Sequence, residues 1–196
     1  MNQTAIIILA AGESSRMEQP KQLLPFKNGT LLGHVADEAQ KSGMPVVIVL
    51  GAREEIVKQQ LLDVSAEITY NEKWKDGIST SIKSGLQKAI ENNSDIESCI
   101  LCVCDQPYIS TVLFQQLMEK KAASGKNIIA CSYTGTIGTP VLFDKKYFDA
   151  LMNLQGSEGA KKLLQTYRED VALVSFEKGE IDIDTKMDYK ELLKAI

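Results

Sequence analysis

The chain has little of what most catalytic chemistries rely on. Its 196 residues include one histidine (His34), one tryptophan and four cysteines, and aromatics make up 6%. With a single imidazole far in sequence from any cysteine, a His-based triad and a Cys/His zinc cluster are both disfavoured. Three cysteines share one apolar run, Cys99-Ile-Leu-Cys102-Val-Cys104, which reads as a buried strand. Together with Cys131 they are expected to be reduced core thiols. Excess positive charge is missing too: 22 Lys and Arg stand against 26 Asp and Glu, a net of −4. Without a basic field, neither nucleic acid nor an anionic membrane is expected as a partner. Any anionic ligand must then be held by local cations and a metal. No apolar run approaches the ~20 residues of a membrane span. The first residues lack the basic leader of a signal peptide, so a cytoplasmic location is expected. Low-complexity linkers and internal repeats are also lacking, and the length suits one domain over 1–196.

What is present is concentrated in Ile6-Ile-Ile-Leu-Ala-Ala-Gly12-Glu-Ser-Ser-Arg16-Met-Glu-Gln-Pro-Lys21. An apolar run reads as a buried strand and stops in small residues. At Ala10, Ala11 and Gly12 no bulky side chain holds a ligand away from the backbone, and free N–H groups at such a turn suit a phosphate. Two serines add hydroxyls, Arg16 adds a planar fork and Lys21 a flexible point charge. The spacing is neither the Walker pattern nor Gly-x-Gly-x-x-Gly, which disfavours both standard nucleotide folds. Leu9, Ala10, Ala11, Gly12, Ser15, Arg16 and Lys21 are therefore candidate polyphosphate contacts at the carboxyl end of a strand.

Strand-like and amphipathic segments alternate over the first ~130 residues, which predicts a three-layer α/β/α, Rossmann-like fold on a mostly parallel, doubly wound sheet. Strands are predicted at 4–9, 46–50, 66–70, 98–104 and 128–132, and helices at 31–41, 54–62, 79–91 and 110–123. The last ~60 residues are less regular, with strands near 141–143 and 171–176 and helices near 160–167 and from 187. They are expected to add mixed strands and an acceptor-side wall. Ligands of such sheets sit beyond the carboxyl ends of the strands, so the loops after Leu9, Tyr70 and Cys104 should share one rim.

Two of those loops carry polar residues. Asp105-Gln106-Pro107 leaves the cysteine-rich strand, which holds a carboxylate on a rigid element with Pro107 fixing the exit. One such carboxylate suits Mg²⁺, which takes one or two protein acids plus waters and phosphate oxygens. Asn71 ends another strand beside the same pocket. Asp76-Gly77-Ile78-Ser79-Thr80-Ser81 opens a helix that Ser79 could cap. Near the carboxyl end, alternation puts Asp182 and Asp184 on one face of an extended segment. Thr185 and Asp188 read as a capping box for the final helix. Trp74 is expected to pack the loop before Gly77, and His34 to lie on a helix face.

The segments Leu9-Ala10-Ala11-Gly12, Ser15, Arg16-Met17 and Lys21, together with Asp105-Gln106-Pro107, resemble the MobA-like nucleotidyltransferase family, relatives of the molybdenum-cofactor guanylyl- and cytidylyltransferases. Glu18 stands where the family has Gly. The resemblance implies the nucleotide-diphospho-sugar transferase type of fold and Mg²⁺-dependent nucleotidyl transfer with release of pyrophosphate. It makes Arg16, Lys21 and Asp105 catalytic, and Asp105 and Asp184 the metal contacts. It also makes Gly77, Ser79 and Ser81 contacts to base or ribose. Ala11, where the guanylyl branch has Gly, implies CTP ahead of GTP. Gly138-Thr-Pro-Val-Leu-Phe143 resembles the family's strand near the acceptor. Gly156-Ser-Glu-Gly-Ala-Lys161 resembles a cytidylyl-branch segment with Lys161 in place of Arg. The implied acceptor is a molybdopterin-type phosphate, with a molybdenum hydroxylase apoenzyme or its chaperone as a further partner. Two other readings stay open: transfer to a sugar or alditol phosphate, and a non-catalytic protein that binds the cofactor or a nucleotide for a hydroxylase.

Overall fold

The structure, a computed structural model, describes residues 3–17, 19–61 and 64–195. Glu18, and Leu62 at the expected end of the second helix, lie outside the described residues. Strand β1 (Thr4–Ala10) is followed by a short antiparallel pair, β2 (Pro25–Phe26) and β3 (Gly29–Thr30), then α1 (Leu31–Lys41) and β4 (Val46–Leu50). Next come α2 (Glu54–Gln59), β5 (Glu67–Tyr70), α3 (Ile78–Asn92), β6 (Ser98–Val103) and α4 (Thr111–Ser124). The chain continues through β7 (Ile128–Tyr133), β8 (Thr136–Asp144), α5 (Phe148–Met152), α6 (Ala160–Thr166), β9 (Val171–Ser175) and α7 (Lys186–Lys194).

Seven strands form one sheet in the order β5-β4-β1-β6-β8-β7-β9. The first four run parallel, and β9 is parallel to β7. Only β8 is antiparallel to both its neighbours. This is the mostly parallel sheet with mixed late strands that the segment order predicts. Central β1 is buried along its whole length. Ile6, Ile8 and Ala10 face one side with Leu32, Val35 and Ala36 of α1 and Phe114 of α4. Ala5, Ile7 and Leu9 face the other with Ile82 and Leu86 of α3, Leu151 of α5 and Leu163 of α6. A strand covered on both faces needs apolar residues at every position, which is why it reads as an unbroken run rather than an alternating one.

A third apolar cluster, Met17, Leu24, Phe26, Leu31, Ile183 and Leu192, lies apart from these two layers. It joins the turn after β1 to the segment before α7, although those pieces are more than 150 residues apart in sequence. Helix α7 starts with the expected capping box: the Thr185 side chain accepts from the Asp188 N–H, and the Asp188 carboxylate accepts from the Thr185 N–H. All four cysteines are buried and free. Burial pushes the thiols of Cys99, Cys104 and Cys131 up to about 12, as befits inert core groups. Among the described residues no helix is long and apolar enough to cross a membrane.

Candidate active site

The site forms where β1 and β6 end side by side, with Leu9 paired to Val103. Beyond β1 the backbone turns through Ser14, whose φ of 58° is a left-handed conformation uncommon for a residue with a side chain. The Ser14 hydroxyl accepts from the Lys21 N–H at 3.0 Å, and its carbonyl accepts from the Met17 N–H at 2.8 Å. Ser15 is exposed. The serine that knits the turn is therefore Ser14. Met17, between the two cations, anchors the turn in the third apolar cluster.

Lys21 Nζ donates to Asp184 Oδ1 at 3.0 Å and also to Asp105 Oδ2. Arg16 Nη2 donates to Asp184 Oδ2 at 2.7 Å. One cationic atom thus lies between two carboxylates that are 79 residues apart in the chain (184 − 105). Two observations explain their approach. The Ile183 N–H donates to the Asp105 carbonyl at 3.0 Å, and Ile183 itself is fully buried. In addition, Gln106, 4% exposed, donates from Nε2 to the Gly179 carbonyl at 2.7 Å and accepts from Thr139 Oγ1 at 3.2 Å. The strand exit at Asp105, the start of β8's buried half and the return segment 179–184 are thereby tied together.

The electrostatics follow from this geometry. Burial by itself would lower the Lys21 pKa, but the charge of Asp105 and the hydrogen bonds to both acids outweigh it and hold the ammonium above its usual range. For Asp184 burial acts to raise the pKa, while Lys21 and Arg16 prevail and keep the carboxyl low. Asp182 is pushed up by burial and by the neighbouring charges of Asp184 and Asp105. Among the described residues no group of three or more His, Cys, Asp or Glu is placed to hold a metal ion. Two carboxylates converging on one cation are nonetheless hard oxygen donors of the number Mg²⁺ takes from protein when phosphate oxygens complete its shell. Asp105 and Asp184 could hold such an ion.

A cavity of about 220 Å³ opens here, lined by Leu9, Ala10, Ala11, Gly12, Lys21, Ser81 and Asp105 from the sequence reading, and by Gln22, Trp74, Ile78, Val103 and Cys104. A larger one, about 830 Å³, lies at the amino-terminal ends of β4 and β5 around Met44, Val46 and Glu67, away from these charges. Trp74 is a wall of the smaller cavity as well as packing for its loop. Other candidates sit further back. Asn71, 5% exposed, donates to Thr80 Oγ1 at 2.8 Å and to Ser81 Oγ at 2.9 Å, and accepts from the Lys73 N–H. It clamps the end of β5 to the start of α3. Gly77, not Ser79, is the N-cap of α3, and among the described residues no side chain caps that end. Its φ of 108° and the approach of the Gly156 carbonyl, 2.2 Å from where a Cβ would stand, leave room for glycine alone. Ser79, 1% exposed, has a hydroxyl with no partner among the described residues, and its N–H donates to the Gly156 carbonyl at 3.2 Å. The 156–161 segment is thus the neighbour of the Gly77–Ser81 turn, with Lys161 exposed. His34 is a half-buried residue of α1 set edge-on to Phe26.

Sequence reasoning did not single out three residues at this site. Gly51, after β4, has no space for a Cβ, which would stand 2.7 Å from the Ala11 carbonyl oxygen. Gln22 and Gln106 are the other two. A glutamine buried beside a charged motif residue was the available signal, since a buried amide needs partners.

The family model described as "MobA-like NTP transferase domain" matches residues 6–171. The purine catabolism protein PucB of Bacillus subtilis is 26% identical over 97% of this chain and 96% of its own length. Molybdenum cofactor cytidylyltransferase of Escherichia coli is 28% identical over 93% of this chain and 92% of its own. Among solved structures, Rv0371c of Mycobacterium tuberculosis H37Rv superposes with a TM-score of 0.85 at 26% identity over 98% of both chains. The same protein has been solved in complex with manganese, with a TM-score of 0.80 against this chain. The expected fold type is the observed one.

Proposed function

Because the chain belongs to the MobA-like NTP transferase family, we propose that it transfers CMP from CTP to the phosphate of a molybdopterin-type acceptor, releasing pyrophosphate. Nucleotidyl transfer is the family's chemistry, and the base, the acceptor and the metal are the parts proposed here. One observation carries the reading: the cations of the amino-terminal turn and the acids Asp105 and Asp184 meet beside a small-residue loop at the carboxyl rim of the sheet. In this reading residues 1–196 work as one domain.

The acceptor phosphate oxygen is already anionic near neutral pH, so its attack on the α-phosphorus needs no general base. The new bond forms to that oxygen as the bond to the β-phosphate bridge breaks, and pyrophosphate leaves with the electron pair. The protein's work is alignment and neutralisation of the growing charge. Leu9, Ala10, Ala11, Gly12 and Ser15 border the phosphates, and Arg16 and Lys21 turn their charges onto the leaving group. Gly77, Ser79, Ser81 and Asn71 line or support the base and ribose side. Asp105 and Asp184 would hold a Mg²⁺ ion, which would add charge neutralisation at the phosphates. Ala11 and the likeness to a cytidylyltransferase favour CTP over GTP.

The likeness to a protein named for purine catabolism favours a second reading, in which the chain binds cofactor or nucleotide for a molybdenum hydroxylase or its chaperone without catalysing transfer. A carrier has no need of paired acids around a lysine, so the enzymatic reading stands first. Purified protein incubated with Mg²⁺, each NTP in turn and candidate acceptors, with pyrophosphate followed, separates the two. Release that needs both CTP and the pterin phosphate is expected. Release only with a sugar or alditol phosphate, or silence with every NTP, overturns the reading.

A further inference from the structure

The amide of Gln22 lies under the small-residue loop and is 1% exposed. Its Nε2 donates twice, to the Ala10 carbonyl at 2.8 Å and to the Gly12 carbonyl at 3.0 Å. The carbonyl between them, Ala11, accepts from the Ala52 N–H at 3.1 Å. Three consecutive carbonyls are therefore all taken by protein donors. In a trans peptide the C=O and the following N–H point in opposite directions. Pinning the carbonyls of Ala10, Ala11 and Gly12 therefore aims the N–H groups of Ala11, Gly12 and Glu13 the opposite way from their pinned oxygens. The orientation of the amide is forced, because a flipped Gln22 would set its oxygen against two carbonyl oxygens. The Ser14 hydroxyl completes the set, donating to Gln22 Oε1 at 3.4 Å.

We propose that Gln22 is a positioning residue for the nucleotide's phosphates: its side-chain amide holds two loop carbonyls away from the ligand and thereby sets the direction of the phosphate-binding N–H groups. This rests on the reading of the site as an NTP site. Gln22 touches no reacting atom and acts through the peptide planes it locks. Among ordinary side chains of this reach only a primary amide can give two hydrogens from one atom and still accept from Ser14. A glutamate of the same shape would face both carbonyls with acceptors alone, and a methionine would fill the space and hold neither.

The test compares Gln22→Met and Gln22→Glu with the wild-type protein for binding of CTP and GTP with Mg²⁺, by calorimetry and by steady-state KM and kcat. Both variants should weaken the NTP by about tenfold or more, with Gln22→Glu the worse. The loss should appear in KM for the NTP, while KM for the acceptor stays within about twofold, a split that general destabilisation would not produce. A folded Gln22→Met protein that binds NTP as the wild type does would overturn the proposal. Should either variant fail to fold, amide exchange in the wild-type protein decides instead. Added NTP should slow exchange at Ala11, Gly12 and Glu13, and NTP binding that leaves all three unchanged would also overturn it. If the wild-type protein binds no NTP at all, it is the nucleotide reading that has failed, and the two outcomes are distinguishable.

Discussion

The two halves of the candidate site are built on opposite principles. On the amino-terminal side, charge is carried at the ends of long side chains on an irregular turn, and the Arg16 side chain is 66% exposed. On the acidic side, Asp105 sits directly after a buried strand, and Asp184 is tied to it by the bond between Ile183 and the Asp105 carbonyl. The turn is held by side-chain hydrogen bonds from Ser14 and Gln22, whereas the acids are held by backbone bonding and a buried isoleucine. Short side chains on fixed backbone keep one geometry, and long ones on a turn can be redirected. The lesson is a difference of support: backbone bonding and a buried isoleucine place the acids, and the cations reach them from a turn that side-chain hydrogen bonds hold.

The comparison breaks most completely if the fixed side is loosened. Ile183→Ala should cost about 2–5 kcal/mol of stability, since it empties a fully buried position, with urea denaturation as the measurement. Activity should fall further than stability predicts, because Asp184 loses its registration with Asp105. The amino-terminal side responds differently. Lys21→Ala should slow pyrophosphate release by about 10²–10³-fold, corresponding to ~2.7–4 kcal/mol in the barrier, while far-UV circular dichroism reports a retained fold. Equal losses of fold in both variants would contradict the difference.

Smaller effects sharpen it. Thr185→Ala removes the cap that starts α7 next to Asp184 and should cost about 1 kcal/mol in thermal denaturation. The acid pair also predicts a pH dependence. The Asp184 carboxyl has a lowered pKa in the folded protein, so its contribution is present above the unfolded carboxylate value of about 3.9 and is lost as pH falls through the lower folded value. The melting-temperature gap between wild type and Asp184→Asn should therefore be widest near neutrality and close in acid below about pH 4. A gap that stays constant from pH 7 to about pH 3 would contradict the pairing. Arg16→Ala, at an exposed ion pair, should change stability by about 0–1 kcal/mol while raising KM for the NTP.

Much of the fold was legible because each element carries its own pattern. Helix α1 and strand β4 fall on their predicted bounds, since apolar spacing in α1 ends at Lys41 ahead of Gly43 and β4 is an unbroken apolar run. Less could be read late in the chain. Strand β8 extends to Thr136, well before the predicted 141, because its first half holds Gly138 and small polar residues that pair with β7 at a bulged register. Helix α5 is five residues long, too short for a 3.6-residue period to declare itself. At the site, Asp105 and Lys21 could be read from their motifs. Gln22 and Gln106 directly follow those two residues, but no local pattern shows that their amides are buried and bonded to backbone carbonyls.

The sequence alone determined the alternating elements, the small-residue turn after β1 and the identity of the charged groups, because these depend on residue type and on spacing within about one element. Tertiary structure decided which of those groups meet. Arg16 finds Asp184 across 168 residues, and β8 inserts between β6 and β7. Both follow from non-local contacts: the burial of Met17, Leu24 and Ile183 in one cluster, and the pairing of strand edges. Such contacts are fixed by the free energy of the whole packed chain, and no local stretch of residues contains them.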